Sequence, residues 1–207
     1  IEVRRRLLGP EDPQTLNSVF HVAHVIAGQG RYAEAEKRYR EVYELQKCVL
    51  GPEHPDSLVT KHNLGQVIVL EDRYSEAEGL LREVLSARRR VLRPEHPHTL
   101  DTMERLAEVS CLQANYATAE SAFRELWYVK TRVLGPEHPN TLRCIHKLAL
   151  AVTGQGRHAD AERLYRQVFK LRIRVVGREH PDTLVSIAAL ASAIERQGRY
   201  QEAEVTW

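Results

Sequence analysis

The sequence predicts an all-α protein, built as an array of antiparallel helix pairs that repeat every 42 residues. Three observations predict it. The nine prolines fall at 10, 13, 52, 55, 94, 97, 136, 139 and 181, and subtracting 42 repeatedly collapses them onto two positions. Proline lacks an N–H and clashes with the preceding turn, so the long proline-free gaps are free to be helical. Two further landmarks keep the same period: a turn (QGRYAEAE at 29–36, EDRYSEAE at 71–78, QANYATAE at 113–120, QGRHADAE at 155–162, QGRYQEAE at 197–204) and a closing VYELQKCV-like segment. Between the landmarks the apolar residues recur at helical spacing, as in Leu58, Leu64, Val67 and Ile68, then Ala77, Leu80, Leu81, Val84 and Leu85.

Composition sets the outer limits. The 207 residues carry 30 Lys plus Arg against 28 Asp plus Glu, a net charge of +2. That balance gives no large one-signed field of the kind nucleic-acid or membrane-surface proteins use. No apolar run approaches the length of a membrane span. The first residues, IEVRRRLLGPED, lack the apolar core of a signal peptide. Three cysteines without paired spacing fit a reducing compartment, and we expect a cytoplasmic location.

The elements follow in order. Residues 1–7 read as the end of a preceding repeat. Four full repeats occupy 8–49, 50–91, 92–133 and 134–175, and a truncated fifth occupies 176–207. Each linker, such as LGPEHPDSL (50–58), places proline at 13, 55, 97, 139 or 181 as the first helical residue, where its missing N–H costs nothing. Helix A therefore runs roughly over 13–28 and helix B roughly over 32–49, each recurring at intervals of 42. Gly30, Gly156 and Gly198 fit the left-handed residue that ends helix A, with Asp72 and Ala114 in the same place. Small residues (Ala23, Gly65, Ala107, Ala149, Ala191 on helix A; Ala35, Ala77, Ala119, Ala161, Ala203 on helix B) mark close approach of helices. Larger apolar columns accompany them: Val22, Leu64, Leu106, Leu148 and Leu190 on helix A, and Tyr39, Leu81, Phe123, Tyr165 and Trp207 on helix B.

Leu64-Gly65, Ala77 and Leu81, like Leu148-Ala149, Ala161 and Tyr165, keep the spacing of a tetratricopeptide repeat, which the whole chain resembles. The 42-residue period and the LGPEHPDTL-like linker resemble the kinesin-light-chain class, found also in the arrays of NB-ARC-type fungal receptors. The resemblance implies a right-handed α-solenoid whose concave face is lined mainly by the A helices, with the B helices outside. It also implies a non-enzymatic scaffold that binds a peptide or partner protein in that groove. Light chains carry Asn just before the Leu-Ala pair; here only Asn63 keeps it, and His21, Arg105, Lys147 and Ala189 stand in its place.

Residues that suggest chemistry have structural readings. His54, His96, His138 and His180 form one column, a full repeat apart, and cannot converge on one ion within zinc-ligand distances. They are expected to cap or brace helix A, so no metal site is predicted. Gly28-Gln29-Gly30 lies in an inter-helix turn and lacks the third glycine of a dinucleotide loop. Glu36–Arg40, Glu78–Arg82, Glu120–Arg124 and Glu162–Arg166 are i,i+4 pairs. Arg88, Arg89, Arg90, Lys130, Arg132, Arg172 and Arg174 end the B helices, where cations suit the helix dipole. No catalytic set and no cofactor site remain.

Helix A positions that vary while pointing into the groove are the candidate site. They include His21, His24, His62, Asn63, Gln66, Arg105, Arg143, His146 and Lys147. Fixed charges cancel over the whole set, with Arg105, Arg143, Lys147 and Arg196 opposed by Asp101, Glu104, Glu108 and Glu195. Arg143, His146 and Lys147 share one helix face suited to a carboxylate or phosphate. His21, His24, His62, Asn63 and Gln66 form a neutral stretch suited to a peptide backbone. Alternative roles are a sensing or oligomerisation segment of a larger NB-ARC-type NTPase, and an RNA-binding solenoid. Uncapped ends would also allow head-to-tail self-association.

Overall fold

The computed structural model describes residues 6–9 and 11–206, with Thr206 described only by its backbone. Residues 1–5, Pro10 and Trp207 lie outside the described residues, and with them most of the seven-residue stub, one linker proline and the last member of the helix B apolar column. Ten helices follow: α1 Pro13–Gly28, α2 Tyr32–Val49, α3 Pro55–Leu70, α4 Tyr74–Val91, α5 Pro97–Leu112, α6 Tyr116–Leu134, α7 Pro139–Gly154, α8 His158–Val176, α9 Pro181–Glu195 and α10 Tyr200–Thr206. Among the described residues there is no strand, and no helix is long and apolar enough to cross a membrane. The chain forms two compact units, Ile1–Val109 and Ser110–Trp207. Within each unit, successive helices pack on one another: α1 on α2, α2 on α3 and α3 on α4 in the first, and α6 through α10 likewise in the second.

The linker chemistry starts each A helix. Proline occupies the first position of α1, α3, α7 and α9, and the residue before it is the cap. Asp12 accepts from the Gln14 N–H at 2.9 Å. The histidine column does the same work through Nδ1, accepting from the N–H of Asp56, His98, Asn140 and Asp182 at 3.1–3.2 Å. An imidazole replaces the usual carboxylate or hydroxyl cap because its Nδ1 reaches the same orphan N–H groups.

The turn ending each A helix needs a left-handed residue. Gly30, Gly156 and Gly198 have φ of 75–78°, and Asp72 and Ala114 are forced to 60° in the same role. The linker glycines Gly51, Gly135 and Gly177 adopt φ of 90–97°. Arg93 replaces that glycine in the third linker and does not adopt a positive φ; instead the exit from α4 differs, with Leu92 at ψ −149° where Leu50 has −23°. A side chain at φ near 95° would clash, so the backbone takes another route.

The small-residue columns are buried throughout, from Ala23, Ala35 and Ala77 to Ala161, Ala191 and Ala203. Tyr39, Leu81, Phe123 and Tyr165 are buried beside them. At Gly65 an added Cβ would lie 3.0 Å from Leu81 Cγ, so the two helices close on hydrogen there. The helix A column departs in two places: Val22 is 37% exposed and Leu106 is half-buried. Leu64 shares a cluster with Ala23, Ile26, Ala35 and Tyr39 of the preceding pair, whereas only residues 6–8 are described as helix ahead of α1.

The i,i+4 pairs form as expected, at 2.6–2.7 Å. The structure adds a clamp that local spacing does not show. Glu36 also binds Arg73 at 2.7 Å, Glu120 binds Arg157 at 2.8 Å, and Glu162 binds Arg199 at 2.7 Å, each arginine belonging to the next repeat's turn. Hydrogen bonding from Gln155 holds the Glu120 carboxyl below its ordinary value of 4.5; burial opposes this, and Arg124 and Arg157 reinforce it. A carboxylate with a depressed folded-state pKa contributes stability that is present above the unfolded value and lost as pH falls through the folded one. Glu120→Gln is therefore expected to flatten the stability loss as pH falls below the ordinary carboxylate value of 4.5, read by urea unfolding at a series of pH values. An unchanged acid limb would mean the clamp is solvated.

One column of cations is not where the helix-dipole reading puts it. Arg88, Lys130 and Arg172 are buried rather than solvated at the helix ends. Arg88 donates to the His98 carbonyl at 2.7 Å and to Thr102 Oγ1 at 2.6 Å. Arg172 donates to the Asp182 carbonyl and to Ser186 Oγ, both at 2.6 Å. Each cation thus ties the end of one B helix to the first turn of the next A helix. Burial lowers the pKa of both guanidinium groups, and Asp101 and Asp182 oppose that shift.

Candidate functional site

The variable positions of the A helices divide between exposed ones, such as His21, His24, Asp101 and Arg143, and buried ones, such as His62 and Glu104. The two units carry these positions with opposite charge. In the first unit, Arg105 stands among Asp101, Glu104 and Glu108; in the second, Arg143, Lys147 and Arg196 stand with Glu195. The zero sum in the sequence therefore divides into a net negative set of positions in the first unit and a net positive set in the second.

In the first unit, His21 and His24 are exposed on α1. The His21 ring meets Phe20 edge-on at 5.5 Å, and His24 Nδ1 lies 3.5 Å from the Tyr39 hydroxyl. Asn63 is half-buried and donates its amide to the Val59 carbonyl of its own helix at 2.8 Å. The sequence reading sets His62 in the groove as a hydrogen-bonding group, but the structure buries it. Its Nε2 lies 2.9 Å from Asp101 Oδ2 and 2.6 Å from Gln66 Nε2, and its Nδ1 lies 3.4 Å from Thr102 Oγ1. The cause is Asp101 and Thr102 on α5, which cover the imidazole from the next repeat. Contact with His62 also holds the Asp101 carboxyl below its ordinary value, against the effect of burial. Gln66 is thereby engaged inside the array. Arg105 is half-buried and paired with Glu108 at 2.6 Å.

In the second unit, Arg143 and Lys147 lie one turn apart on α7, exposed and half-buried respectively. His146 is expected beside them as part of an anion grip. It packs instead against Tyr165, with ring centroids 5.3 Å apart, and its Nδ1 is buried. Burial, with Arg172 and Lys147 nearby, pushes its pKa down to about 4, so it is neutral near pH 7 and adds no charge. The cationic surface is Arg143 with Lys147. Leu150 on the same helix face is 49% exposed, and Val185 at the equivalent of position 143 on α9 is 53% exposed. Arg143, Lys147 and the uncovered Leu150 thus share one face of α7, and Val185 is uncovered at the corresponding position of α9. Leu150 and Val185 are exposed while neighbouring Leu148 and Ile187 are buried.

Among the described residues, no group of three His, Cys, Asp or Glu side chains is placed to hold a metal ion. Cys48, Cys111 and Cys144 are not joined in disulfides, and buried Cys144 donates to the Phe123 carbonyl at 3.5 Å.

The tetratricopeptide repeat family model matches residues 16–90, 56–126, 100–174 and 146–205, nearly the whole chain. The fold is similar to the crystal structure of nearly identical TPR-like repeats from a Podospora anserina protein of kinesin-light-chain type, with a TM-score of 0.83 at 29% identity, covering 94% of this chain and 92% of that one. It is also similar to BtubC (BKLC) from P. vanneervenii, with a TM-score of 0.82 at 18% identity over 99% of this chain and 83% of that one. MamA of Desulfovibrio magneticus RS-1 shares the fold more distantly, with a TM-score of 0.66 at 16% identity over 92% and 90% of the two chains. None of the curated protein sequences compared with it matches this chain. The 42-residue helix register, the buried small-residue columns and the family model agree: the chain belongs to the tetratricopeptide repeat family and is similar in structure to repeats of kinesin-light-chain type, and repeats of this family generally act as protein-interaction scaffolds.

Proposed function

We propose that the chain is a non-enzymatic interaction module that binds an extended polypeptide segment over the A-helix face of its second unit. The observation that carries this reading is the alignment of Arg143, Lys147 and exposed Leu150 on one face of α7, with Val185 exposed at the corresponding position of α9. Cations on a short helical spacing attract a carboxylate, and uncovered aliphatic groups reward a partner that dehydrates them. The matching ligand carries an acidic residue close to an apolar one. Arg143 and Lys147 supply charge and orientation, and Leu150 and Val185 supply the dehydrated contact. In the first unit His21, His24, Asn63 and Arg105 are the face's polar groups, whereas His62 and Gln66 brace the array.

Peptide selection on the intact chain tests this reading. Peptides recovered with the native protein are expected to be enriched in acidic and aliphatic residues. They should lose at least ~10-fold in affinity for the Arg143→Glu, Lys147→Glu double variant, because both charge contacts become repulsive. Recovery of the same peptides with unchanged affinity would remove α7 from the binding surface.

A further inference from the structure

The buried cation column has one member that is not a cation. In the 42-residue frame its described members are Gln46, Arg88, Lys130 and Arg172. Arg88 and Arg172 show what the column does in the structure. Each guanidinium enters the first turn of the next A helix, where it meets the backbone carbonyl of one residue and the hydroxyl of another four positions on: His98 and Thr102, then Asp182 and Ser186. Arg88 also reaches the Leu58 carbonyl, at 3.4 Å.

Forty-two residues earlier, these acceptors become Asp56, Thr60 and Leu16, and the cation becomes Gln46. All four line a single open cavity of about 400 Å³ in the first unit. The corresponding cavity one repeat later is about 300 Å³, with Arg88 on its wall and Thr102 not among its lining residues. The Gln46 side chain is too short to repeat the arginine's bonds. Gln46 Oε1 and Thr60 Oγ1 are both buried without a hydrogen-bond partner, and the residues themselves are 5% and 0% exposed. Two unpaired buried oxygens at one place are costly, and they call for a donor. Asp56 is the one charged residue lining the cavity, its carboxylate largely exposed and 3.8 Å from His54 Nδ1, and Phe20 and Val59 add apolar surface for an aliphatic stem. A guanidinium offers several N–H donors in one plane, which an ammonium does not.

We propose that this cavity is a binding site for the guanidinium of an arginine side chain carried by a partner polypeptide. The partner's arginine takes the place that Arg88 and Arg172 take in their own repeats. It donates to Thr60 Oγ1, the Gln46 side-chain oxygen and the Asp56 carbonyl. The array thus contains its own template for the bound ligand, in two copies. This inference rests on the interaction-module reading only in assigning the arginine to a polypeptide. The cavity lies in the first unit and uses none of the residues proposed on α7.

The test is an NMR titration of the intact chain with N-acetyl-arginine methylamide, with N-acetyl-lysine methylamide as the comparison probe. Saturable shifts are expected at the amides of Gln46, Asp56 and Thr60, with the lysine probe at least ~10-fold weaker. Gln46→Arg supplies the missing guanidinium from within. It is expected to raise the unfolding midpoint and to abolish binding of the arginine probe. Thr60→Val removes one acceptor at nearly constant volume and is expected to weaken the probe ~10-fold. Absence of saturable shifts at these residues would overturn the proposal, as would a folded Gln46→Arg chain that binds the probe as the native chain does. Should Gln46→Arg fail to fold, unchanged affinity in Thr60→Val overturns it equally. A negative result leaves the α7 surface standing, because the peptide selection reads different residues in the other unit.

Discussion

Replacing Tyr165 by alanine is expected to destabilise the second unit by about 3–5 kcal/mol, the range for deleting a large buried aromatic side chain. Tyr165 is only 2% exposed, lies in the same column as Phe123, and holds the His146 ring against α8. Its removal deletes the contact that the small residues Ala149 and Ala161 leave room for, and the surrounding helices cannot close fully on the space. Tyr165→Phe is the control. The same column holds phenylalanine at 123, so this variant should cost about 1 kcal/mol or less, mainly the hydroxyl's hydrogen bonding. Guanidinium chloride unfolding, followed by circular dichroism, separates the two outcomes. Equal and small effects would mean that the aromatic column does not organise the array.

The second large effect is expected at Arg172. If it only complements a helix dipole, Arg172→Ala costs about 0.3–1 kcal/mol. If it is the joint between α8 and α9, the variant loses two hydrogen bonds to a charged donor, each worth about 1.5–3 kcal/mol, partly offset by the cost of burying the charge. We expect a net loss of about 2–4 kcal/mol. Arg172→Met keeps the aliphatic stem and should lose roughly half as much, since Ser186 Oγ still donates to the Asp182 carbonyl at 3.1 Å. A loss below 1 kcal/mol in the alanine variant would restore the dipole reading.

Much of the fold is written in residues whose effect is local. Pro55 and His54 set the start of α3 from within two residues, and Asp72 and Ala114 mark the turn because the frame leaves that role to no other residue. Alanine and aromatic columns were legible because one period repeats them. Contacts between repeats were not. The Glu120–Arg157 clamp joins residues from adjacent repeats, and i,i+4 logic sees only Arg124. Arg172 appears to sequence reasoning as a cation at a helix end, because only the packing of α9 on α8 shows that this end faces inward. A signal for both was present as a column of its own: Arg31, Arg73, Arg157 and Arg199 in one case, and Arg88, Lys130 and Arg172 in the other. His62 was misplaced for the opposite reason. Its position is variable in sequence, yet Asp101 from the next repeat covers it. Variability marks freedom from the framework and does not by itself mark exposure.

The central claim is that the framework columns carry the fold while the A-helix face carries the binding. One comparison tests it: the unfolding midpoint and the peptide affinity of the Arg143→Glu, Lys147→Glu variant, measured on the same preparation. The account predicts a midpoint within about 2 °C of the native chain, as for surface substitutions, with affinity reduced at least ~10-fold. A midpoint that falls together with affinity would place these residues in the framework, and an unchanged affinity would place the binding surface elsewhere; either result contradicts the account.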